Sequence, residues 1–189
     1  MNKLHDAIDR FCALHRGFGI PNLMRYIVTG NVLVFALHLL TGADGMLLSL
    51  LSLTPRMIVQ GLQLWRLVTF VFIPFSTDVL SLVLSLYLYY YIGNVLEDRW
   101  GTGKFTIYYL SGILFSIIGA FAAYALGSPV SVWGLHYVNM SLFLAYAVLY
   151  SDAYLYLFFL IPIKIKWLAW LDVAYFAYGV LLSIGQRDW

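Results

Sequence analysis

Five apolar stretches, each close to the length of a membrane span, leave this chain little choice of fold. They run over residues 26–41, 79–96, 105–126, 132–150 and 167–184, and Asp172 is the one Asp, Glu, Lys or Arg inside them. A hydrocarbon core about 30 Å thick takes roughly 17–25 such residues as a helix. Inside lipid every backbone N–H and C=O must be paired within its own segment, so these stretches are predicted as transmembrane α-helices. Only 11% of the 189 residues are charged and 62% are hydrophobic. A soluble domain carries about 25% charged residues, and this chain has too few to cover a water-facing surface. The 15 tyrosines and 6 tryptophans suit the two membrane interfaces, where one end of the side chain is apolar and the other wet. A net charge of +2 is too small to point to nucleic acid. Cys12 is the single cysteine, so no internal disulfide forms.

The segments between the spans carry the remaining polarity. Residues 1–22 lack the compact apolar core of a signal peptide. Leu4, Ile8, Phe11 and Cys12 recur at helical spacing, with Lys3, Asp6, Asp9 and Arg10 largely elsewhere. This reads either as a helix lying on the membrane surface or as a charged cytoplasmic tail, ended by Gly17, Gly19 and Pro21. Residues 46–75 are apolar but hold Pro55, Arg56, Gln60, Gln63, Arg66 and Pro74. Charge at the bilayer centre is expensive, so this stretch is predicted as a partly helical loop at or in one leaflet. Residues 153–166 form an apolar connector broken by Pro162. If the N-terminus is cytoplasmic, Lys3, Arg10, Arg16, Arg25, Arg99, Lys104, Lys164 and Lys166 lie inside and only Arg56, Arg66 and Arg187 outside. That bias favours an N-in arrangement in the cell membrane. The expectation is an all-α integral membrane bundle: a 1–22 amphipathic segment, then a transmembrane domain over 23–189.

Three motifs in order carry a family resemblance. The first is Gly61-Leu62-Gln63-Leu64-Trp65-Arg66-Leu67-Val68-Thr69-Phe70, followed by Phe72-Ile73-Pro74. The second is Gly93-x-x-Leu96-Glu97-x-x-Trp100-Gly101 with Phe105 and Tyr108-Tyr109. The third is the run from Phe158 to Trp167, with Pro162 at its centre. In order, spacing and hydropathy, about two-thirds of the chain resembles the rhomboid superfamily. Structural roles suit these residues: Trp65 at headgroup level, the Arg66 guanidinium on phosphate or carbonyl oxygens, Glu97 paired near Arg99 and Lys104, and Gly93 and Gly101 at close approaches or turns.

Rhomboid proteases, as the resemblance implies, need a serine nucleophile in Gly-x-Ser-Gly, a histidine base on a sixth span and a His-x-x-x-Asn pair on the second. Counting back from Gly93 puts that pair on Ser81 and Ser85. No Gly-x-Ser-Gly occurs; Gly134-Leu135-His136-Tyr137 is its nearest echo, and His136 takes the nucleophile's place. Ser141 is the other weak catalytic candidate. No histidine follows residue 136, and five spans leave the C-terminus outside where a rhomboid domain has six. On a regular helix His136 and Ser141 lie about 140° apart, too far round to touch. A serine without a base is not activated.

The resemblance therefore implies a rhomboid-like, non-catalytic bundle, a pseudoprotease that binds or steers transmembrane client segments. Ser81, Ser85, Asn139 and Asp172 are its expected interior polar residues. The alternative is an intramembrane serine protease whose sixth span lies beyond this sequence. A transporter is a third class, with Asp172 and Asp78 as its only intramembrane charges and no inverted repeat. Asp172 either serves function or pairs with Lys166. His38 and His136 read as interfacial polar residues. His5, Cys12 and His15 match no metal-ligand spacing, so neither a metal nor a cofactor is expected. Partners are lipids and other proteins' spans, not nucleic acid.

Overall fold

A computed structural model describes residues 17–41, 45–128 and 130–150, with Arg10, Cys12, Leu14, 154–157, 161–164, Trp170 and Ala174. By contact clustering the chain divides into two units, Met1–Asn139 and Met140–Trp189. Leu4, Ile8 and Phe11 of the predicted first helix fall outside the described residues, although Arg10, Cys12 and Leu14 are helical. Nearly all of the predicted fifth span, Asp172 included, also lies outside them.

Among the described residues three helices are long and apolar enough to cross a membrane: α1 (Leu23–Leu40), α5 (Val79–Trp100) and α6 (Thr102–Ala125). At 1.5 Å per residue they reach roughly 27, 33 and 36 Å. Only 22–28% of the residues in their most apolar windows are buried, so most of each helix's surface is left for lipid. Leu33, Val83 and Phe115 are among those exposed. The chain is an all-α membrane bundle.

The predicted loop between the first two spans is built from short helices: α2 (Met46–Leu51), α3 (Pro55–Gly61), α4 (Arg66–Thr69) and a 3-10 turn at Phe70–Phe72. Pro55 starts α3, where its missing N–H costs nothing. Arg66 pins the loop from inside. Its Nη1 donates to the carbonyl oxygens of Ser49 (2.6 Å) and Ser52 (2.8 Å), and its Nε donates to Gln63 Oε1 (2.6 Å). The guanidinium thus ties α2 to α4 while its side chain is 5% exposed. Burial lowers its pKa from the ordinary arginine value. Trp65, next to it, faces outward.

The last two segments depart from expectation. The fourth span, expected over 132–150, is a 14-residue helix, α7 (His136–Leu149), about 21 Å long. Its start is set by tertiary contacts. Val132 and Leu53 exchange two backbone hydrogen bonds (3.0 and 2.9 Å). Gly134 then turns the chain at φ +69, where a Cβ would lie 2.9 Å from the Ile73 carbonyl oxygen. The connector is a hairpin, β1 (Tyr154–Leu157) antiparallel to β2 (Ile161–Lys164), with Pro162 opposite Tyr156. Every strand of a two-stranded ribbon is an edge, so a proline is tolerated.

At the other end of the first unit, α5 and α6 meet at Gly101 (φ +88), and Trp100 packs edge-on against Tyr108. Glu97, expected beside Arg99 and Lys104, also bonds across to the segment before α1. Its side chain turns inward, and Oε1 accepts from the Asn22 N–H and the Thr102 hydroxyl, both at 3.0 Å. The Ile20 N–H donates to Thr106 Oγ1 at 3.1 Å. The segment before α1 is thereby fastened across the α5–α6 turn. Glu97→Leu is expected to expose residues 17–22 to limited proteolysis several-fold faster than the wild type. Glu97→Gln, which keeps an acceptor oxygen, should leave the rate near wild type.

Candidate functional site

Glycine decides where the first and second spans touch. At Gly93 an added Cβ would collide with Met24 Cγ, and Met24 is 1% exposed. In lipid the hydrophobic effect does not drive helices together, so close packing of this kind and polar contacts hold them. Beside this crossing the helices part around a chamber of about 230 Å³. Its lining comes wholly from the first unit: α1, the loop, α5, α6 and the first turn of α7.

The chamber's polar side chains are Asn31, Ser85, Tyr89, Tyr109, His136 and Asn139, set in an apolar wall that includes Met24, Val28, Val71 and Leu86. Among the described residues no Lys, Arg, Asp or Glu lines it. Three buried polar atoms have no hydrogen-bond partner: Tyr109 Oη, His136 Nδ1 and Asn139 Oδ1. A buried polar atom left unpaired costs about 1–3 kcal/mol, so three at one chamber mark a place built to be filled. There is room for several water molecules at about 30 Å³ each. His136 stacks on Phe75 with ring centroids 5.2 Å apart, and both line the chamber. Phe75 and Trp133 are each 50% exposed, which puts them at the chamber's rim.

The predicted site residues separate. Ser85 and Asn139 line the chamber together with His136. Ser81 was expected in the interior and is exposed instead. It lies in the first turn of α5, where its N–H donates to the capping carboxylate of Asp78 at 2.9 Å. That bond is the main reason the Asp78 carboxyl sits below its ordinary pKa. Ser141 falls in the second unit and Asp172 outside the described residues. His38 is buried with its Nδ1 unpartnered, away from the chamber lining. Trp65, Arg66, Gly93, Glu97, Trp100 and Gly101 hold the loop and the helix crossings, outside the lining.

The chamber brings a serine and a histidine together, yet they are not hydrogen-bonded. Ser85 Oγ donates to the Ser81 carbonyl oxygen at 2.6 Å, and His136 Nδ1 is unpaired. Sequence reasoning missed Asn31 and Tyr109. Asn31 had a signal, since a carboxamide inside a span asks for a partner. Tyr109 had none, because tyrosines abound in this chain.

A family description, eukaryotic integral membrane protein (DUF1751), matches residues 23–187. The chain belongs to that family. The DUF1751 match spans all three long helices, the loop and every residue of the chamber. No curated protein and no solved structure matches the chain.

Proposed function

We propose that this DUF1751 protein is a rhomboid-like, non-catalytic membrane protein that binds or steers transmembrane segments of other proteins. We place its N-terminus on the cytoplasmic side of the membrane, on the bias of its basic residues. One observation supports the docking role: a chamber among the spans with three buried polar atoms that no described residue pairs. An apolar client gains little from such a chamber. A client with a polar group inside the bilayer gains a partner there. The non-catalytic half of the proposal rests on Ser85, whose hydroxyl proton is directed to a backbone carbonyl and not to an imidazole.

A single-span reporter helix tests the docking role. With a photoreactive benzoylphenylalanine at Leu86 in the chamber wall, illumination in membranes should cross-link the reporter several-fold more than with the same group at exposed Phe115. Equal cross-linking at the two positions would overturn it. The second possibility, an intramembrane serine protease, is favoured by the shared chamber of Ser85 and His136. A fluorophosphonate probe is expected to leave the protein unlabelled. Labelling that disappears in Ser85→Ala or Ser141→Ala would establish the protease instead.

A further inference from the structure

We infer that the chamber receives the side-chain carboxamide of an asparagine or glutamine in a client helix, an assignment that rests on the docking role proposed above. A carboxamide has two N–H donors and an acceptor oxygen. The chamber offers the complement. Asn139 Oδ1 accepts, His136 Nδ1 accepts when the ring proton sits on Nε2, and the Tyr109 hydroxyl donates. All three atoms are buried and unpartnered.

The other polar side chains fit less well. A serine or threonine in a helix can satisfy itself by donating to a carbonyl three or four residues back. Thr29, Ser85, Ser111 and Ser116 all do this here. Asn31 shows why a carboxamide differs. Its Nδ2 donates to the Ile27 carbonyl oxygen at 2.9 Å, which uses one N–H and leaves the second without an intrahelical partner. A carboxamide in a lone helix therefore carries an unmet need into lipid, where it is costly. Charged side chains are excluded for another reason. The lining holds no opposite charge, and a lysine or aspartate would lose hydration without gaining a counter-ion.

The test uses the full protein in lipid nanodiscs and a set of fluorescent leucine-rich helices with one central guest residue: Leu, Ser, Asn, Gln, Asp or Lys. The Asn and Gln helices are expected to bind about tenfold more tightly than the Leu helix, a factor in keeping with a few interhelical hydrogen bonds. Ser, Asp and Lys helices should match the Leu helix. Tyr109→Phe removes a hydroxyl that bonds nothing in the free protein, so the fold should survive. It should cut the Asn preference about threefold, and Asn139→Leu should cut it at least as far. Exposed Ser81→Ala should leave the preference unchanged. If all six helices bind equally, or if Tyr109→Phe folds and keeps the full preference, the carboxamide assignment is wrong while docking stands. If none of the helices binds, docking itself is wrong.

Discussion

Arg66→Leu is expected to destabilise the protein more than any other substitution in the loop. Leucine fills much of the same volume but removes the donor that now serves the Ser52 carbonyl oxygen and the Gln63 amide oxygen, and leaves the Ser49 carbonyl oxygen with the Ser52 hydroxyl. Hydrogen bonds to a charged donor contribute about 1.5–3 kcal/mol each, and an abandoned buried acceptor costs a comparable amount. Even with partial relaxation the loss should be about 3 kcal/mol or more. Thermal unfolding in detergent, followed by the fluorescence of Trp65 and its neighbours, measures it. Arg66→Lys keeps the charge but loses the rigid fork that reaches Gln63 and the carbonyls together, so its midpoint should fall between the two. A midpoint for Arg66→Leu within a degree or two of wild type would show that the guanidinium is not what pins α2 to α4.

Gly93→Ala should destabilise although alanine is the better helix former. Intrinsic propensity favours it by about 1 kcal/mol, but its Cβ has to displace Met24, which has almost no free surface to move into. Overpacking of this kind costs about 1–3 kcal/mol, and Gly93→Leu should lie at or beyond the upper end. Met24 also lines the chamber, so its displacement narrows the site as well as parting α1 from α5. The decisive measurement is a double-mutant cycle. Met24→Ala combined with Gly93→Ala should recover much of the stability lost to Gly93→Ala alone, because the two residues are in contact. Strict additivity of the two midpoint shifts would mean that the crossing is not set by this pair.

Rhomboid proteases activate a serine through a histidine, and the resemblance raised the question of whether anything similar survives here. Of the positions that the resemblance would assign to catalytic elements, Ser85 and His136 line one chamber. What they lack is the bond between them. A helix serine facing its own preceding turn finds a carbonyl acceptor at once, as Ser85 does at 2.6 Å, and its proton is then spoken for. The unengaged imidazole and carboxamide of this chamber are the groups on which the proposed docking of a neutral polar side chain rests.

The sequence by itself determined the three long apolar helices among the described residues and their approximate limits. The cost of an unpaired backbone or charged group in lipid leaves a long apolar run few other states, and that penalty is local, so it can be read residue by residue. Expected limits of 79–96 and 105–126 became Val79–Trp100 and Thr102–Ala125. The irregular loop was legible for the same reason, from Pro55, Arg56 and Arg66 within an otherwise apolar stretch. Tertiary structure alone decided the rest. α7 begins four residues later than expected because Leu53, distant in sequence, pairs with Val132. Glu97 bonds Asn22, 75 residues away in sequence, and Thr102. The chamber joins Asn31, Ser85, Tyr109, His136 and Asn139 from four helices. Which polar atoms end unpaired depends on how those helices cross, and the crossing is fixed by contacts such as Gly93 on Met24 that no single segment contains.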